Sequence, residues 1–156
     1  MAAYKSLQAR HPLLTWLVVE LKEFRNTQDL LTWWPVVREG VEKVKQHARN
    51  EDWLPEDVYM DIKLGNAGLF LCMRDGEYEG FVVCKLQTGK HVAEWFVWIV
   101  YSDKCDIVSE YYDIMADIAR QAGCKKVVMA SPRKAWERRF KNTEWNPVMR
   151  IWEREL

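Results

Sequence analysis

At 156 residues, with 49% hydrophobic and 29% charged side chains and only 7 Gly and 5 Pro, the composition suits one compact domain and excludes disordered and collagen-like classes, and the order of elements below makes it an α/β one. Basic and acidic residues number 23 each, so no large excess of positive charge marks a nucleic-acid binder. No apolar run approaches the ~20 residues of a membrane span, and MAAYKSLQARHPLL lacks the apolar centre of a signal peptide, which points to a soluble intracellular protein.

The chain opens with LLTWLVVEL, a β-branched and aromatic run inside residues 1–28 that suits a buried strand. Val37, Val41, Val44 and Ala48 recur at helical spacing, and Pro35 is expected in the first turn of that helix. A shorter helix is expected from Pro55 to Leu64, with Glu56 and Asp57 at the positive end of its dipole and Gly65 as terminator. AGLFLCMR and EGFVVCKL read as two strands around Asp75-Gly76, a dipeptide suited to a tight hairpin turn, and HVAEWFVWIVY as a third, central strand. Ile107, Tyr111, Ile114, Ile118 and Ala122 form the stripe of one helix ending at Gly123; KKVVMA is a short buried strand; Ser131-Pro132 starts a helix with Trp136 and Phe140; VMRIWEREL closes as a strand.

Cys72, Cys84, Cys105 and Cys124 show no metal-binding spacing and His11, His47 and His91 are scattered, so no metal site is expected and the thiols read as reduced and mostly buried. Most of the nine Trp should be core. Charge is segregated: residues 1–49 carry +3, residues 50–119 carry −9 and residues 120–156 carry +6. Such a layout suits partner docking or self-association.

The segments WLPEDVYMDIKLGNAGLFLCMRDGEYEGFVV, EWFVWIVY, EYYDIMADIARQAGCKKVVM and SPRKAWERRF carry a resemblance to the GCN5-related N-acetyltransferase superfamily, and more narrowly to small acetyltransferase-like proteins of tailed bacteriophages. The resemblance implies a single domain over 1–156 (1–28 being an N-terminal strand region), with a mixed sheet of about six to seven strands and about four helices. It also implies that an acyl-CoA arm binds along the central strand at Val97, Trp98, Ile99, Val100 and Tyr101. In active members the next turn is glycine-rich, so that backbone N–H groups at a helix start can wrap the pyrophosphate.

Here that turn, Ser102 to Val108, has no glycine, and Asp103 and Asp106 bring negative charge; either suits a helix cap better. Lys104 offsets one charge, and Arg133, Arg138 and Arg139 are candidates to meet phosphates. Where the family's last helix usually supplies an acidic Tyr, this chain has Trp136 or Phe140. For an active enzyme the candidates are Glu94 as base and Tyr101, Tyr111 or Tyr112 as acid.

Three readings follow. The leading one is a non-catalytic phage protein without cofactor, acting through protein contacts or self-association, in the infected host's cytoplasm or in the virion. The alternative is an N-acyltransferase that uses acetyl-CoA or another acyl-CoA through a divergent turn. The third is weak nucleic-acid binding through the basic and aromatic RKAWERRFK.

Overall fold

The structure is a computed structural model that describes residues 4–9, 17–24, 26–48, 52–131, 133–149 and 154, with the backbone alone for 4–9 and 17–19. Its strands are β1 (Tyr4–Ala9), β2 (Leu17–Phe24), β3 (Gly68–Arg74), β4 (Glu77–Thr88), β5 (Ala93–Ser102) and β6 (Lys126–Met129). Its helices are α1 (Thr27–His47), α2 (Pro55–Leu64), α3 (Ile107–Glu110), α4 (Tyr112–Gln121) and α5 (Ala135–Phe140). The strands form one sheet in chain order, antiparallel from β1 through β5, with β6 added parallel to β5. A parallel neighbour needs a crossover connection, and α3 and α4 provide it.

Helix α1 begins eight residues before Pro35. Asn26 accepts a hydrogen bond from the Asp29 N–H at 2.8 Å, and this cap decides the start. Pro35 therefore lies in the helix interior, correcting the first-turn placement. It leaves the Leu31 carbonyl without its usual helical donor, and the site is tolerated because both residues lie on the solvent side. Helix α2 has the bounds expected of it, closed by Gly65 at φ 79°. The β3–β4 turn holds Asp75 and Gly76 at φ 49° and 81°, as a two-residue hairpin requires.

The stripe expected of one helix is divided. Tyr111 leaves helical geometry and separates α3 from α4, so the helices among the described residues number five. Tyr111 and Ile114 are buried as the stripe requires, and Gly123 ends it at φ 80°. Strand β1 had no sequence expectation. Of the expected closing strand, Val148 and Met149 are exposed and outside any strand, Arg154 is exposed, and the rest lies outside the described residues. Pro132 is outside them too, and α5 starts only at Ala135.

Alternation along the strands builds two cores. Leu69, Leu71, Phe81, Val83 and Ile99 face Val37, Val41, Val58 and Ile62 of α1 and α2. Phe70, Cys72, Val82, Cys84 and Val97 face Ile107, Ile114, Met115 and Ala119 of α3 and α4. Burying each such aliphatic side chain stabilises the fold by about 1.5–3 kcal/mol. Of the seven described Trp, Trp53 and Trp95 are buried and the other five are half-buried, so the indoles rim the cores more than they fill them.

Candidate functional site

Strand β6 accompanies β5 only from Glu94 to Val97. The next five residues of β5, Trp98 to Ser102, have no described strand on that side, while Ile99 to Ser102 keep pairing with β4 on the other. The two strands part at a β-bulge. Val83 pairs with Ile99 and Cys84 with Val97, which leaves Trp98 as the extra residue. A bulge breaks the alternation of faces. Trp98 and Ile99 accordingly both turn toward the α1–α2 core, while Val97 and Val100 face the other.

Beside the parting lies a cleft of about 220 Å³. Its indole walls are Trp53, Trp98 and Trp136, and its polar groups are Lys43, His47, Tyr101, Ser102, Ser131 and Arg133. Helix α1 reaches the cleft because Gly40 lets it lie directly on the sheet: a Cβ there would stand 2.5 Å from both Phe81 and Tyr101 ring carbons. One turn on, the Lys43 ammonium donates to the Tyr101 hydroxyl at 3.1 Å and pairs with Glu39 at 2.7 Å. The hydrogen bond to Glu39 first, and that to Tyr101 second, hold the Lys43 pKa above the ordinary lysine value. The Tyr101 proton is thereby left to point elsewhere. His47 Nδ1 lies 2.9 Å from the Lys43 carbonyl, which can only accept, so Nδ1 is the donor and, in the neutral ring, Nε2 is an acceptor.

The turn after β5 uses its own side chains. Ser102 Oγ accepts from the N–H groups of Lys104 at 3.0 Å and Cys105 at 3.1 Å and donates to the Glu79 carbonyl at 2.7 Å. The Asp106 N–H donates to Glu110, and Asp106 caps α3 by accepting from the Ser109 N–H, each at 3.1 Å. Arg139 of α5 closes on Asp106. The Lys104 ammonium donates to the Tyr78 carbonyl at 2.8 Å.

Behind the turn, Arg74 bridges Glu79 and Glu110, and the Tyr111 hydroxyl donates to Glu79 at 2.8 Å. Burial pushes the Glu79 pKa up, but Tyr111 and Arg74 outweigh it and hold the carboxyl below its ordinary range. Burial, then the bond to Glu79, pushes the Tyr111 pKa far up, so this phenol stays protonated.

No family model matches the chain, and no curated relative does. Solved structures do. A ribosomal-protein-alanine N-acetyltransferase from Brucella melitensis matches with TM-score 0.57 at 16% identity, over 88% of this chain and 97% of that one. An aminoglycoside N-acetyltransferase in complex with CoA matches with TM-score 0.60 at 13% identity, over 92% and 98%. A predicted acetyltransferase with acetyl-CoA from Clostridium acetobutylicum matches with TM-score 0.61 at 7% identity, over 88% and 96%. The fold is that of the GCN5-related N-acetyltransferases.

Within this acetyltransferase fold the residues singled out from sequence scatter. Val97, Trp98, Val100 and Tyr101 line the cleft with Arg133, while Ile99 is buried in the α1–α2 core. Arg138 is exposed on α5 and Lys104 is held at the turn. Glu94 stands at the other end of β5, about 23 Å of strand from Tyr101; its carboxylate is 3.8 Å from the Lys126 ammonium. Tyr111 is core, and Tyr112 packs edge-on against Trp145. Lys43, His47, Trp53 and Ser102 were not anticipated at the cleft; Trp136, one of the two residues expected where the family's last helix supplies a Tyr, does line it. One sequence feature could have pointed there: Gly40, set between Val37 and Val41 on an apolar stripe, is the kind of residue that marks a close approach of helix to sheet.

Proposed function

We propose that the chain is an acyl-CoA-dependent N-acyltransferase. One observation carries this: the edge of β5 from Trp98 to Ser102, which no described strand covers, borders the cleft where β6 departs. The amide groups of a pantetheine arm pair with such an edge as an added strand would, and the cleft then receives the thioester.

An acceptor amine attacks the thioester carbonyl; the C–N bond forms and the C–S bond breaks. His47 Nε2 takes the proton from the amine, and Tyr101, whose oxygen already accepts from Lys43, gives its own proton to the departing sulfur. Glu94 is too far along β5 to share in this from its present position. The experiment is a titration with acetyl-CoA, followed by calorimetry and by tryptophan fluorescence, since three indoles wall the cleft. Saturable binding is expected.

A second reading is favoured by the turn, whose Lys104, Cys105 and Asp106 amides are already bonded to side chains. It is a non-catalytic protein, phage-derived and associated with virion or host, that uses the fold for protein contacts. No binding at millimolar acetyl-CoA, together with the chain's presence in purified particles, would establish it.

A further inference from the structure

The cleft and the turn make opposite demands on a CoA molecule. The cleft offers a strand edge that no described strand covers, and a cation, Arg133, to a phosphopantetheine arm. The turn suits the nucleotide half poorly: three of its N–H groups end on Ser102 and Glu110, and the carboxylates of Asp106 and Glu110 stand among them. Arg139, the cation next to that turn, is engaged by Asp106 and lies over the Trp136 ring.

Next to the cleft mouth, the sequence RKAWERRFK places five cations and one carboxylate over residues 133–141. Lys134, Arg138 and Lys141 are exposed. The surface is also rigidly placed, because Trp136 stacks on Phe140 at 5.2 Å and Phe140 on Trp145 at 4.9 Å, with Tyr112 of α4 against Trp145.

We propose that the preferred acyl donor is a thioester on the phosphopantetheine arm of an acidic carrier protein, docked on the cations of α5 and its flanks. This rests on the acyltransferase reading and refines its donor. The arm alone enters the cleft, its single phosphodiester meets Arg133, and the carrier's acidic surface replaces the contacts a nucleotide would make. Charge complementarity selects the partner: a basic patch stands beside the cleft that would take the arm.

The test compares three probes on the same protein: acetyl-pantetheine, acetyl-CoA and an acetylated holo-acyl carrier protein. The expected result is equal affinity for the first two within about threefold, and at least tenfold tighter binding of the carrier, falling as salt rises. In Lys134→Glu/Lys141→Glu the ratio of carrier to acetyl-pantetheine affinity should drop about tenfold. Acetyl-CoA binding tenfold tighter than acetyl-pantetheine, with no gain from the carrier, would overturn the donor assignment and leave the acyltransferase reading standing. Absence of binding by all three would remove both. A duplex DNA probe competing with the carrier through the same lysines, and bound more tightly, would reassign the surface to nucleic acid.

Discussion

Ser102 spends its hydroxyl on the turn it begins, and that one side chain decides much of the turn's character. Replacing Ser102 with Ala leaves two N–H groups, that of exposed Lys104 and that of half-buried Cys105, without their acceptor, at a cost of about 1–2 kcal/mol. Thermal denaturation should show this as a fall of about 3–6 °C. Tyr101 is tested through chemistry instead. If it protonates the leaving sulfur, Tyr101→Phe lowers the acyl-transfer rate about 100-fold with little change in KM, as loss of a general acid does. Glu94→Gln should leave both rate and acetyl-CoA affinity within about twofold of wild type, because Glu94 faces Lys126 outside the cleft. A large loss there would restore Glu94 as the base and displace His47.

At the scale of elements, two glycines set the approach of backbone to backbone beside the cleft. A Cβ on Gly40 would press on the Phe81 and Tyr101 rings, which have some freedom to shift, so Gly40→Ala should destabilise by about 1–3 kcal/mol. At Gly80 the Cβ would stand 2.2 Å from the Tyr101 carbonyl oxygen. A backbone atom cannot move without parting β4 from β5, so Gly80→Ala should cost more than Gly40→Ala in urea denaturation. The reverse order would mean that the β4–β5 edge is softer than its pairing implies. The helix after β5 shows where a periodic stripe misleads. Ile107, Tyr111 and Ile114 lie on the predicted face, yet the Tyr111 hydroxyl's bond to Glu79 fixes its ring at a break between α3 and α4.

For the whole molecule, the Arg74–Glu79–Tyr111–Glu110 group couples β3, β4 and the turn to α3 and α4. It makes stability depend on acid. Glu79 titrates lower in the folded chain than the ordinary glutamate value of about 4.3, so its contribution is complete above that pH and is lost as pH falls through the folded value. Asp61, held down first by its hydrogen bond to Lys85, adds in the same direction. Unfolding free energy should therefore decline below about pH 4.5, and Glu79→Gln should flatten part of that decline. An unchanged slope in the variant would mean that Glu79 does not carry the effect.

What the sequence determined by itself was local. The α2 caps, the Asp75-Gly76 turn, the alternation of β3 and β4 and the α+β order depend on interactions within a few residues or on a strand's period of two. It also showed the missing glycines of the turn after β5. The tertiary structure alone decided the site. The bulge at Trp98, the departure of β6 after Val97, and the meeting of Lys43 with Tyr101 across 58 residues are pairings between distant parts of the chain. Nothing in the local pattern of either partner encodes such a pairing, because it exists only once the sheet has brought them together.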